Sequence, residues 1–165
     1  MRDFVRVGFR LRRAQREVKL VYTGFLLFVA LGLGTNGVMQ LWRIGPSLAR
    51  IAAYFRGGEL GEAMAFPKTF GELLELTHFH AFMMGVVFLI LAHLCLATGL
   101  ATPWKAALIL LALGGSLGDL AAYWLLRYLS PAWALLQLLA WVAMWLGYGG
   151  MLLVALWEMW SGATR

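Results

Sequence analysis

Four long runs of uncharged, mostly apolar residues restrict what this chain can fold into. Leu20 to Trp42 contains 23 residues without a charge, and Leu76 to Trp104 contains 29. Ala106 to Leu126 is interrupted only by Asp119, and Tyr128 to Trp157 contains no charged residue. About 20 apolar residues in a helix cross the hydrocarbon core of a bilayer. The sequence therefore predicts an all-α integral membrane protein, a four-helix bundle with helices at about residues 20–42, 70–100, 106–127 and 131–158.

The composition excludes the common soluble classes. Apolar residues make up 62% of the 165 residues and charged residues 13%, against about half and about a quarter in soluble domains. The net charge of +6 does not indicate nucleic-acid binding, because seven of the 14 Lys and Arg precede Leu20. The lone Cys95 excludes a disulfide framework. We therefore expect one transmembrane domain over residues 1–165 whose main surroundings are lipid.

The distribution of basic residues predicts the orientation. The tail of residues 1–19 carries seven of them, and Lys105 and Arg165 fall on the same side, nine in all. The other side carries five, most of them in the loop of residues 43–69. Because basic residues accumulate on the cytoplasmic side, both termini are expected in the cytoplasm. In a bacterium this is a multi-pass protein of the inner (plasma) membrane, with the long loop facing outward.

The loop of residues 43–69 carries helix signals of its own. Ser47 is a typical N-cap for a short helix through Phe55, and Gly57 and Gly58 mark its end. Its apolar residues recur at helical spacing, which predicts an interfacial helix. After Pro67, the segment Thr69-Phe-Gly-Glu forms a capping box, so the second long helix should begin at Phe70.

All three histidines of the chain, His78, His80 and His93, lie on this second helix. At 100° per residue, His78 and His93 share a face with Glu75 and Phe82, whereas His80 points away from them. His80 and His93 are separated by about 20 Å along the axis at 1.5 Å per residue. The helix therefore carries imidazoles at two depths in the membrane.

Asp119 is the one acidic residue inside the third apolar run. Ionisable groups inside a membrane are costly and are functional candidates by default. Tyr123 and Gln137 are expected at a similar depth, with Glu75 at the membrane boundary. The structural alternative for Asp119 is a salt bridge to Arg127 on the same helix.

The pair His80-x12-His93 on one helix of a four-helix protein resembles the cytochrome b subunits and small b-type membrane anchors of quinol-oxidising complexes. That resemblance implies b-type haem (heme b), with His93 and one of His78 or His80 as iron ligands. It covers one helix and the topology, and a second helix with partner histidines is missing. The second axial ligand would come from a homodimer, from another subunit, or from one of the methionines Met39, Met83, Met84, Met144 and Met151.

The function predicted from these residues is that of a membrane subunit in a respiratory-type electron-transfer complex. It would connect a quinone with a redox protein on the outer side, with Glu75, Asp119 and Tyr123 exchanging protons or hydrogen bonds with the quinone. The alternatives are a cofactor-free scaffold subunit, and a small proton or ion transporter using Asp119 and the histidines. Glu75-x-x-His78 also matches half of a di-iron motif, but the further carboxylates are missing. No motif for a soluble-type catalytic site is present.

Small residues and tryptophans predict how the helices pack. The third helix contains Gly114-x-x-x-Gly118-x-x-x-Ala122, and the same spacing recurs at Ala143/Gly147 and Ala30/Gly34. Such ridges allow helix backbones to approach closely. Trp141 and Trp145 share a face in the middle of the fourth helix, where we expect them to contact a partner helix or a cofactor.

Overall fold

A computed structural model describes residues 9–60 and 63–161 of the chain. The long helices are α1 (Arg16–Arg43), α3 (Phe70–Leu96), α4 (Thr102–Leu129) and α5 (Pro131–Trp160). Between α1 and α3 lie the short helix α2 (Leu48–Arg56) and the strands β1 (Gly58–Leu60) and β2 (Ala63–Ala65). Each long helix is long and apolar enough to cross a membrane. The all-α architecture with four candidate spans is confirmed.

The bundle is centred on the antiparallel pair α4 and α5, which pack most closely, with α3 against both. A large apolar core combines α3 and α5 with part of α1, around Leu26, Leu91 and Met151. A smaller core under α2 contains Ile51, Phe55 and Leu126. Helix α1 is the most loosely attached of the four. In its most apolar 18-residue stretch, 17% of the residues are buried, against 44% in that of α5.

The ends of the long helices differ from the predicted ranges by a few residues. Charged residues were taken as boundaries, but α1 already begins at Arg16 and α4 at Thr102, with Pro103 in its first turn. Helix α3 ends at Leu96 rather than at residue 100. There the Lys105 ammonium group donates hydrogen bonds of 2.9 Å to the carbonyl oxygens of Leu96 and Thr98. The last five residues of α4, Leu125–Leu129, widen into a π-helical turn.

The short helix predicted between α1 and α3 is confirmed, but it ends at Arg56 rather than Phe55, and the Ser47 side chain makes no capping hydrogen bond. Helix α2 starts after Ser47, buries Ile51, Ala52 and Phe55 against the ends of α4 and α5, and stops at Gly57. Gly57 has a φ of +86°, a conformation that favours glycine. The Thr69 capping box forms as predicted and starts α3 at Phe70.

An antiparallel hairpin of β1 and β2 follows α2 and was not predicted. Gly58 pairs with Ala65 and Leu60 with Ala63, while residues 61–62 lie outside the described part of the chain. Strands of three residues are too short to show a period in the sequence. The loop is therefore more structured than the sequence indicated.

The N-terminal segment is attached to the opposite end of the bundle, which we call the terminal side. Leu11 is fully buried and its N–H donates to the carbonyl of Ala97, at 3.1 Å. The Lys19 ammonium group donates to the carbonyl of Arg12 at 3.0 Å. Residues 1–8 of the predicted basic tail, and residues 162–165, lie outside the described residues.

The predicted small-residue ridge of α4 is confirmed at Gly118 and at the fully buried Ala122, whereas its first position is Gly115. Gly115, not Gly114, faces α5, where an added β-carbon would meet Met144 and the backbone of Ala140. Gly118 also faces α5, and Gly147 of α5 lies directly against the backbone of Ala112. Ala30 and Gly34 on α1 are exposed, and Gly34 has open space beside it.

Candidate functional site

Asp119 is buried between α4 and α5, with 2% of its surface exposed. The Tyr123 hydroxyl donates to Oδ2 at 2.5 Å, and the Trp141 indole N–H donates to Oδ1 at 3.0 Å. The Gln137 amide N–H also donates to Oδ1. We call Asp119, Tyr123, Gln137 and Trp141 the Asp119 site.

Helical spacing brings these four side chains together. Asp119 and Tyr123 are four residues apart and lie on one face of α4, and Gln137 and Trp141 are four apart on the facing side of α5. One turn towards the middle of the helices, Ser116 and Tyr148 share a 2.7 Å hydrogen bond. Ser116 lies near the centre of α4, so Asp119 is about 5 Å from the centre at 1.5 Å per residue. The carboxyl group is therefore deep in the span.

Within the described residues, no basic side chain pairs with Asp119. The Arg127 guanidinium instead donates to the carbonyl of Lys68 at 2.6 Å, which contradicts the salt bridge considered from the sequence. Arg56 donates to the carbonyl of Leu126 at 2.8 Å. Gln137 is fully buried and its Oε1 atom has no hydrogen-bond partner in the described residues.

His80 adds α3 to the surroundings of the Asp119 site. Its ring meets the Tyr123 ring edge-on, with 6.0 Å between centroids, and it is half-buried. Its Nδ1 atom is 2.8 Å from the carbonyl oxygen of Leu76 on its own helix. Phe55 of α2 stacks on the other side of Tyr123, at 5.3 Å. Tyr123 of α4 is therefore in contact with both α3 and α2.

The other histidines of α3 lie on its exposed face, which we define by Glu75, His78, Phe82, Val86, Leu89 and His93. Phe82 is 68% exposed on this face. The Nδ1 atom of His93 is 2.7 Å from the carbonyl oxygen of Leu89. The predicted sharing of a face by Glu75, His78 and His93 is therefore observed, and His80 points elsewhere, as expected.

The structure brings some predicted site residues together and separates others. Asp119, Tyr123 and His80 are neighbours, whereas Glu75, His78 and His93 lie apart on the exposed face of α3. Met83 is largely exposed, and the carbonyl of Met84 accepts a 3.5 Å hydrogen bond from Tyr148. Among the described residues, no group of three or more His, Cys, Asp or Glu side chains is placed to hold a metal ion.

Two partners in the buried polar layer were missed from the sequence. Trp141 was expected to contact a helix or cofactor, not a carboxylate, and Ser116 was not considered. The signal was present: Ser116, Asp119 and Tyr123 follow helical spacing on α4. On α5, Gln137, Trp141 and Tyr148 also recur on one side. If the polar face of α4 had been placed against the polar face of α5, these contacts would have been predicted.

These features define a multi-pass integral membrane protein with four candidate spans and a buried polar layer between the last two. The chain belongs to the Aq_1264_TM family of transmembrane helical domains, whose model matches residues 45–165. The match covers α2 to α5 and leaves α1 outside it. Comparison with curated proteins and with solved structures gave no match.

Proposed function

We propose that the protein is a membrane subunit of an electron-transfer complex and that its partner binds the exposed face of α3. The supporting observation is the placement of Glu75, His78 and His93 on one exposed face within a membrane-spanning helix. Ionisable side chains that face lipid are costly, and a partner helix would cover them. The proposal includes a b-type haem shared with that partner through His93.

The hydrogen bonding of His93 suits an iron ligand. A carbonyl oxygen only accepts, so the Nδ1 atom that contacts Leu89 must carry the hydrogen. In the neutral ring, the Nε2 atom then keeps its lone pair. Metal-binding histidines commonly donate their second ring N–H in this way, which fixes the orientation of the ring. His80 makes the equivalent bond to Leu76 and is the second candidate ligand.

The two candidate ligands serve different sites. His80 faces Tyr123, while His93 lies on the exposed face about 20 Å away at 1.5 Å per residue. Each would need a second axial ligand, from another subunit or from a second copy of the chain. A bound b-type haem would supply one-electron transfer between its ferric and ferrous states.

If the protein also binds a quinone near this site, His80 is the residue that would contact it. The oxygen atoms of Asp119 already accept hydrogen bonds and the residue is enclosed, and Tyr123 is also buried. His80 is half-buried and therefore partly accessible beside Tyr123. A head group would therefore meet His80 first.

A cofactor-free scaffold subunit is the second candidate, and one observation favours it. An open groove of about 580 Å³ follows α1 and includes Ala30, Gly34 and Val38. Small residues on such a face are typical of helix–helix association in membranes. This groove contains no ionisable residue, so it suits another helix better than a redox cofactor.

The experiment is a dithionite-reduced minus oxidised visible spectrum of the protein in its native complex and alone. We expect a b-type α-band in the complex that loses intensity in His93→Ala and keeps its full intensity in His78→Ala, the matched variant on the same face. A band of unchanged intensity in His93→Ala would contradict the role of His93. If neither preparation shows a band, the haem proposal fails. Co-purification of partner subunits would then test the scaffold function alone.

A further inference from the structure

We propose that Asp119 is a proton-binding site and holds a proton at neutral pH, as a neutral carboxylic acid between α4 and α5. This inference does not depend on the haem proposal. It concerns the Asp119 site itself, whose ligand is a single proton taken from water. Protonation forms an O–H bond on the carboxylate and breaks an O–H bond of a hydronium ion, which becomes water, and no bond of the protein breaks.

The position of the carboxyl group opposes its ionisation. Asp119 is 2% exposed and lies near the centre of a transmembrane helix. An ionised carboxylate there needs a cation or a water-filled cavity. The described residues provide no salt bridge to it, since Arg127 and Arg56 bind carbonyl oxygens near the end of α4. Protonation neutralises the carboxylate and so removes the free-energy cost of burying an unpaired charge.

The titratable groups around the site do not replace the missing cation. From α3, His80 contacts the ring of Tyr123 and forms no salt bridge with Asp119. From α2, the uncharged Tyr54 ring meets the ring of Phe55, which stacks on Tyr123. From α5, Gln137 and Trp141 are uncharged. Neutral side chains therefore surround the carboxyl group, apart from the imidazole of His80.

The hydrogen-bonding partners of Asp119 can also bind a neutral carboxylic acid. The Tyr123 hydroxyl can accept as well as donate, whereas the Trp141 indole only donates. The Gln137 amide N–H and the Trp141 indole N–H both donate to Oδ1, which suits the carbonyl oxygen of the acid. An O–H on Oδ2 would donate to the Tyr123 oxygen, which contacts Oδ2. Rotation of the Tyr123 hydroxyl accommodates this bond without movement of the main chain.

The sequence makes a direct test feasible. Asp3 and Asp119 are the two aspartates of the chain. In the Asp3→Asn variant, carbon-13 placed in the aspartate carboxyl group therefore labels Asp119 alone. Infrared spectra of this full-length variant in lipid bilayers separate the C=O stretch of a carboxylic acid from the two stretches of a carboxylate.

We expect a carboxylic acid band at neutral pH that shifts with the carbon-13 label and disappears in Asp3→Asn/Asp119→Asn. A labelled signal consisting only of carboxylate bands at neutral pH would overturn the proposal. The isotope shift assigns the band by itself, so the test holds even where Asp119→Asn does not fold. Removal of haem or of any partner does not change the expected band.

Discussion

The indole ring of Trp145 on α5 lies directly over Gly37 of α1, so close that an added β-carbon on Gly37 would overlap the ring. This contact attaches α1, which lies outside the part of the chain that matches the family. The ring of Trp145 therefore makes the helix contact that was one of the two roles expected for it. Farther towards the terminal side, α1 is held through Leu26 and Val29.

Substitution of Gly37 tests this attachment. In Gly37→Ala the new methyl group must displace the Trp145 ring, and overpacking of this kind costs about 1–3 kcal/mol. We expect a lower melting temperature of the protein in detergent micelles. Gly34→Ala is the matched control, because Gly34 lies on the same helix with open space around it. Equal melting temperatures for the two variants would contradict the Gly37–Trp145 contact.

The α4–α5 contact predicts a larger effect at Gly147. A β-carbon there would meet the backbone of Ala112, which cannot move away as a flexible side chain can. Gly147→Ala should therefore destabilise the bundle by at least about 2 kcal/mol, or prevent its folding. Gly149→Ala on the same helix should be neutral, since nothing lies within 4 Å of Gly149. Thermal unfolding monitored by circular dichroism provides the comparison, and a stable Gly147→Ala protein would refute the predicted packing.

The hydrogen bond between Ser116 and Tyr148 can be measured by a double-mutant cycle. The single variants are Ser116→Ala and Tyr148→Phe, which remove the two hydroxyl groups that lie 2.7 Å apart. Interhelical hydrogen bonds in membranes contribute about 0.6 kcal/mol on average, and we expect a coupling free energy of that size. Denaturation of all four proteins by sodium dodecyl sulfate in micelles gives this quantity. Strictly additive effects would show that the two hydroxyl groups do not interact.

The capping box at the start of α3 predicts a local effect. The Thr69 hydroxyl accepts from the N–H of Glu72, and the Glu72 carboxylate accepts from the N–H of Thr69 at 2.8 Å. Thr69→Ala should lower the free energy of unfolding by about 1 kcal/mol. The control is Thr35→Ala, because the Thr35 hydroxyl bonds only to carbonyl groups of its own helix. Amide hydrogen exchange measures this effect. We expect faster exchange in the first turn of α3 in Thr69→Ala and no such change in Thr35→Ala.

The polar residues illustrate where prediction from the sequence stopped. The expected common depth of Asp119, Tyr123 and Gln137 is observed, because depth follows from the rise per residue along each helix. Their mutual contact, and the participation of Trp141, depend on how α4 rotates against α5. That rotation is set by Gly115, Gly118 and Gly147, and the sequence pattern indicated Gly114, which is exposed, in place of Gly115.

The sequence by itself determined the four spans, the short helix α2 and the start of α3, because run lengths, helical spacing and capping are local properties. Only the tertiary structure decided that His93 lies on the exposed surface, that His80 faces Tyr123 and that Asp119 is enclosed by α5. In a helix that is apolar on all sides, amphipathic patterning gives no preferred face. Contacts between helices, which small residues allow to approach closely, supplied that information.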